Sequence, residues 1–323
     1  TEGNMSTGIF ATAGNINNNG EIKIGDQGIG MYSETYVVPS DNPYNYLFAN
    51  VNNNGKITAG TGNKAIGIYA NQNNLPGSGA YLYVTLGGGS DIDVSASKGG
   101  IGVYGTNITP GSTPLYGNKE ITITHGGVIK STGVSKGFGI IADNKGSVGV
   151  TQSQININAG SNIDLTQVTI ASIGDLIWVY AKNTTVNSAG DMTIGANGIA
   201  MYAEDSNVIL TGGTINITGN NALGFYLKGN TNFSGTGTIN VSGQGVTIFN
   251  LNTAPAMTFN NAFTINTVGS GTYTLGSISN GTYYYNSTAT PLSSNGAMIA
   301  GKNSAILYDT SANISSTGNN NIG

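Results

Sequence analysis

One six-residue pattern recurs along this chain and constrains its fold more than any other feature. GIGMYS (28–33), AIGIYA (65–70), GIGVYG (100–105), GFGIIA (137–142), LIWVYA (176–181), GIAMYA (198–203), ALGFYL (222–227) and GVTIFN (245–250) align without gaps. STGIFA (6–11) and SAILYD (304–309) read as further copies, which puts Phe10 and Tyr308 at the tyrosine place, as Phe249 is in GVTIFN. Shorter apolar segments such as EIKIG (21–25), KITAG (56–60) and DIDVS (91–95) precede each copy. Fainter ones such as YLFAN (46–50), YLYVT (81–85) and QININ (154–158) come earlier still. Each unit is therefore three short strands separated by glycine- and asparagine-rich corners.

The spacing selects the architecture. Tyrosine-place residues fall 22 apart (10 to 32 and 180 to 202), 24 apart (202 to 226) and 23 apart (226 to 249). Units this short leave no room for helical crossovers, so parallel neighbours must come from coiling the chain. The expected fold is all-β: a right-handed parallel β-helix with three strands per coil and 22–24 residues per minimal coil. Roughly a dozen coils at about 4.8 Å each would make a rod of about 55–60 Å.

Four consecutive spacings are longer, and the excess follows the tyrosine strand each time. It defines insertions at 34–45, 71–80, 106–117 and 143–153, all expected at one corner and hence on one side. The whole of 1–323 reads as one β-helical segment, regular over 1–250 and irregular over 251–303, with the repeat resuming at 304–323. Both ends fall within a repeat and neither shows a cap, which suggests a piece excised from a longer protein.

Strict alternation along the motif puts its first and third positions (Ile29 and Met31, Ile66 and Ile68) inward. The glycine at the second position then faces outward, and the tyrosine ring at the fourth lies over it. Trp178, the only tryptophan, takes a glycine place and is expected outward, as a stacking platform or packed over Ile141. His125, the only histidine, has no partners at triad or metal spacing and reads as a surface turn residue.

Composition narrows the functions. The chain has 51 glycines, no cysteine, no arginine, 8% charged residues and a net charge of −4. Without a basic stripe it is not built for nucleic acid, and without an apolar run of about 18 residues it inserts no helix into a membrane. Asp91 and Asp93 flank Ile92 on one strand face, and GGGSDIDVS (87–95) has only a single vague likeness to a calcium repeat. The GxG pairs precede no helix that could hold a phosphate. No catalysis, cofactor or metal is expected.

The G-I-G-[IMV]-Y-A strand, the N-N-N-G-x-I corner and the arginine-free, asparagine-rich composition together resemble the passenger regions of the very large fusobacterial autotransporter adhesins (type V secretion). That resemblance covers nearly the whole chain and is weakest at 251–303. It implies a monomeric rod on the bacterial surface, anchored in the outer membrane by a C-terminal barrel. It also implies attachment to host glycans or host receptors, immune receptors among them, and coaggregation with other bacteria. Rings and amides in the insertions are the expected contacts: Tyr36, Asp41, Asn42, Tyr44, Asn73, Asn74, Tyr81 and Tyr116, with Trp178 beside them. Two rivals stand: a purely structural stalk that presents a distal tip, and an extracellular polysaccharide lyase.

Overall fold

A computed structural model describes residues 5–36, 47–73, 80–107, 121–130, 136–145, 153–165, 175–252, 257–279, 282–285, 299–302 and 305–308. Among these every regular element is a β-strand, and every ladder between strands is parallel. Each strand pairs with its equivalent one repeat away, so strand backbone groups are satisfied along the stack, and bonds within a repeat are confined to corner turns such as Gly28 N–H to Gly25 O. The motif strands form one eleven-stranded sheet in chain order, running from Thr7–Thr12 through Ile29–Tyr36, Ile66–Asn73 and Gly100–Asn107 to Ile299–Lys302. We call this the tyrosine row.

The other two rows share a second sheet. In the first row, Leu47–Asn53 lies between Gly14–Asn18 and Ala80–Leu86. In the middle row, Lys56–Ala59 lies between Glu21–Ile24 and Asp91–Asp93. Later the two rows fuse: Asn207–Ile217 pairs along its length with Asn232–Val241, broken only between Thr211 and Thr214. The result is a nearly closed, solenoid-like stack around one continuous apolar core.

Corners are made by left-handed backbone. Gln27, Lys64, Asn197 and Asn221 all have φ of 52–56° and stand two places ahead of the motif's first residue. Their amides bond to the next repeat, as in Gln27 N–H to Asn63 O (2.8 Å) and Lys64 N–H to Lys98 O (2.8 Å). Asparagine tolerates this conformation better than most residues, which explains much of its abundance at corners.

Two copies of the motif move. Register pairs Leu223 with Thr247 and Tyr226 with Asn250, so Phe249 is not at the tyrosine place. It points inward and stacks on Phe225 at 5.3 Å. Ala305–Tyr308 pairs with Thr282–Tyr285, whereas the tyrosine row continues through Tyr273–Ser279 and Ile299–Lys302. SAILYD is therefore not a copy of the tyrosine strand.

The expected facing of the motif is also corrected, because alternation slips at the glycine. Ladders bridge Ile29 to Ile66 and Met31 to Ile68 but skip the glycines between them. Gly30 and Met31 are both buried, while Ile29 and Tyr32 are part-exposed. First-position residues Ile177, Ile199 and Leu223 form a cluster apart from the core, against Tyr180, Tyr202 and Tyr226. They are outward, and the glycine is inward. A Cβ on Gly67 would lie 2.6 Å from Ile92 Cγ2 and 2.5 Å from Gly102 O. On Gly102 it would lie 2.6 Å from both Ile129 Cγ2 and Gly139 O. The interior is too narrow there for any side chain.

Replacing Gly102 with alanine should therefore cost about 1–3 kcal/mol, the usual range for forcing atoms into a filled core. Gly20→Ala, whose Cβ meets nothing within 4 Å, should leave the melting temperature nearly unchanged. Thermal melts of the two variants check the contrast.

Candidate functional site

Parallel register turns each outward position into a column, and the stack presents three faces of different chemistry. On the tyrosine row the rings stand on one another: Tyr32–Tyr69 at 5.1 Å, Tyr180–Tyr202 at 5.0 Å and Tyr202–Tyr226 at 4.8 Å, all with near-parallel planes. Ile141 interrupts the ladder and is buried. Stacked this way, each ring's faces are covered by its neighbours and only edges and hydroxyls reach solvent. Burial raises the hydroxyls' pKa, to about 12 at Tyr69 and Tyr180, so the ladder stays neutral. Two places on, Glu204 sits between Lys182 (3.6 Å) and Lys228 (3.2 Å).

The middle row carries charge. Asp91 and Asp93 do share an outward face, but Asp91 is paired with Lys130 at 3.1 Å. Among the described residues no group of three or more histidine or carboxylate side chains could hold a metal ion.

The first row is different again. Its two outward columns run Asn15, Asn50, Tyr83, Thr122, Gln154, Thr185 and Asn17, Asn52, Thr85, Thr124, Asn156, Asn187, in register from repeat to repeat. Neither contains a charge. Amides donate along the axis: Asn50 to Asn15 (2.6 Å), Asn52 to Asn17 (2.9 Å) and Asn187 to Asn156 (3.0 Å). Asparagine-x-asparagine and threonine-x-threonine inside short strands were the available sequence signal, and a search confined to loops passes over it.

The insertions are shorter than the sequence suggested, because their first residues belong to the tyrosine row. Asn71, Gln72 and Asn73 continue the strand Ile66–Asn73, in register with Glu34, Thr35 and Tyr36. Gln72 pairs onward with Asn107, and Asn107 with Asn144. Thr35, Gln72, Asn107 and Asn144 all point inward and are fully buried. This polar column stands where the chain leaves the stack. Asn144 Nδ2 donates to Ser153 Oγ (3.1 Å), tying together the two ends of the excursion between them.

Of the expected contact residues, Tyr36 and Asn73 close their strands as register partners. Asp41, Asn42, Tyr44, Asn74 and Tyr116 lie outside the described residues. Tyr81 is buried and stacks on Phe48 at 5.4 Å, on the first row. Trp178 is not outward. It occupies the inward glycine place, is fully buried, and donates from Nε1 to Ile163 O at 3.0 Å. Room exists because the isoleucine column reads Met192 one repeat on, where other repeats hold the colliding isoleucine. The following corner is Gly198, whose Cβ would meet the indole at 2.7 Å.

His125 is likewise no surface residue. It ends the strand Ile121–His125 facing inward, in register with Leu86 and Ile157, and is fully buried. Nε2 contacts Asn162 O at 3.2 Å, which makes Nε2 the protonated nitrogen, while Nδ1 has no partner. Burial lowers the pKa to about 4, opposed by the bond to Asn162.

No family model matches the chain, and neither the curated proteins nor the solved structures contain a match to it.

Two measurements test the buried aromatics. Emission from the single tryptophan should be blue-shifted and resist iodide; ready quenching would place the indole outside. His125 is neutral when folded yet titrates near 6.5 when unfolded, so its stabilising effect is complete above pH 6.5. That effect falls away between about 6.5 and 4, a loss of about 3 kcal/mol. Melting temperatures of His125→Leu should drop less over that interval than those of the unaltered chain.

Proposed function

We propose that this chain is part of a bacterial cell-surface adhesin, built as a right-handed parallel β-helix with three short strands per coil. It acts as a non-catalytic binding module of an outer-membrane autotransporter passenger, and the insertions leaving the tyrosine row carry the contacts. The partners are host glycans or host surface receptors and the surfaces of other bacteria.

One observation carries this reading. Near their ends the tyrosine strands of consecutive repeats are in register at Thr35, Gln72, Asn107 and Asn144, so the excursions that follow start from one corner and one side. Buried polar side chains line their roots, and Asn144 donates across one of them to Ser153. Loops carry recognition best when a rigid scaffold holds their ends. Three repeats between Lys182 and Asn232 manage the same corner with one to three residues, as with Asn183 alone (φ 48°), or Asp205 (φ 50°) and Ser206. Long excursions are thus not needed to close a coil. Those compact repeats favour a stalk for the later part of the chain, and the two roles divide along the length.

Replacing residues 37–46 and 108–120 by the short corner of the later repeats should preserve the melting temperature and abolish attachment to host cells or partner bacteria. Undiminished attachment by a folded variant would sink the proposal.

A further inference from the structure

We propose that the outward face of the first strand row binds an extended, uncharged polysaccharide lying along the axis of the stack. The residues it uses lie in strands and not in the insertions, and it stands whether or not the insertions bind anything.

The argument begins with charge. Over six repeats the two outward columns hold only amide and hydroxyl side chains, from Asn15 and Asn17 to Thr185 and Asn187. In the same repeats the neighbouring middle row carries Glu21, Lys23, Lys56, Asp91, Asp93 and Lys130. Charge is tolerated one corner away and absent here. Such a face has nothing to neutralise a uronate, sulfate or sialate, and desolvating those groups against it would be costly.

Hydrogen-bonding capacity comes next. An asparagine amide offers two N–H donors and an oxygen with two lone pairs. The pairs Asn50 to Asn15 and Asn52 to Asn17 each use one N–H and one lone pair and leave the rest available, while Asn156 Oδ1 accepts from both Gln154 and Asn187. Ordered rows of donor-acceptor pairs match sugar hydroxyls, which also give and accept. Rows are separated by the strand spacing of about 4.8 Å, close to the advance of one sugar in an extended β-linked chain. Six repeats span about 24 Å, room for a short oligosaccharide. The interlocked amides are also held in place before binding, so little side-chain freedom is lost.

An apolar platform completes the surface. Phe48 lies on this face beside Asn50, is 51% exposed, and is backed by Tyr81 at 5.4 Å. Unlike the tyrosine ladder, whose ring faces are covered on both sides, Phe48 leaves ring surface open to the C–H face of a sugar. A supported aromatic next to amide rows is the combination that orients a neutral sugar.

Affinity electrophoresis of the full chain through gels containing a soluble neutral β-linked glucan tests this, with polygalacturonate and heparin as acidic probes. Retardation is expected in the neutral gel only. Phe48→Ala, and separately Asn52→Lys with Thr124→Lys, should weaken it at least tenfold while melting temperatures hold. Thr193→Lys on the middle row should change nothing, and the chain with shortened insertions should be retarded as before. Lack of retardation by the neutral glucan, stronger retention by either acidic probe, or full retention of the folded Phe48→Ala variant would each overturn the proposal.

Discussion

Everything in this molecule depends on how narrow the stack is where the tyrosine row passes over the middle row. In the first five copies the motif's glycine lies against the isoleucine of the following repeat, as Gly67 does on Ile92 and Gly102 on Ile129. Those two isoleucines are fully buried, each worth about 1.5–3 kcal/mol of burial. The contact lets two sheets approach without a void, at the density that protein interiors require. It also forces the strand out of simple alternation. Because the glycine consumes an inward place without filling it, the next residue turns inward as well. Isoleucine and tyrosine are both left on the outside, and the outer aromatic face follows from the inner steric limit.

In-register parallel stacking then multiplies each choice. A side chain outside a globular fold has varied neighbours; here it has its own equivalents about 4.8 Å above and below. Like charges in such a column would repel, so the columns are neutral or alternate in sign, as Lys182, Glu204 and Lys228 do. Aromatic rings stack and amides chain their hydrogen bonds. Isolated surface ion pairs add little to stability, whereas long amide and ring ladders hold outward side chains in one conformation. A chain with few charges and many asparagines is what this geometry selects. The composition is a consequence of the stack.

Much of this was legible in the sequence. The all-β class and the parallel pairing followed from the repeat length, because 22–24 residues cannot contain a crossover helix; the fusion of two rows in Asn207–Ile217 and Asn232–Val241 did not. Counting residues put long excursions after the tyrosine strand, and their first residues are strand. Facing failed, because period-two alternation was carried through a glycine that breaks it, and nothing in GIGMYS signals that the glycine is the crowded residue. Trp178 was misplaced by the same step. Its proper sign was Met192, 14 positions later, which only register connects to it. His125, without partners at triad or metal spacing, reads as a surface turn residue, yet it is the last inward place of its strand. The run NQNN looked like loop for its composition, although Asn71, Gln72 and Asn73 are strand. Polar residues were assigned to solvent by type, and the buried column at the insertion roots shows where that rule stops.

That buried column bears on how the chain divides its work. A polar side chain in an apolar core is costly unless it is satisfied, so an oily residue would stabilise the stack more simply. Thr35, Gln72, Asn107 and Asn144 occur in consecutive repeats, and the compact repeats between Lys182 and Asn232 turn the same corner within three residues. Their placement is therefore tied to the excursions and not to coil closure. Asn144 bonding to Ser153 across an excursion shows the purpose such groups serve, since a bond between the two roots fixes the exit and return of the chain. Rigid roots reduce the ordering cost of any contact made farther out. The stack accepts a weaker interior at this corner in exchange for a defined starting point for each excursion, and neighbouring starting points lie one strand apart.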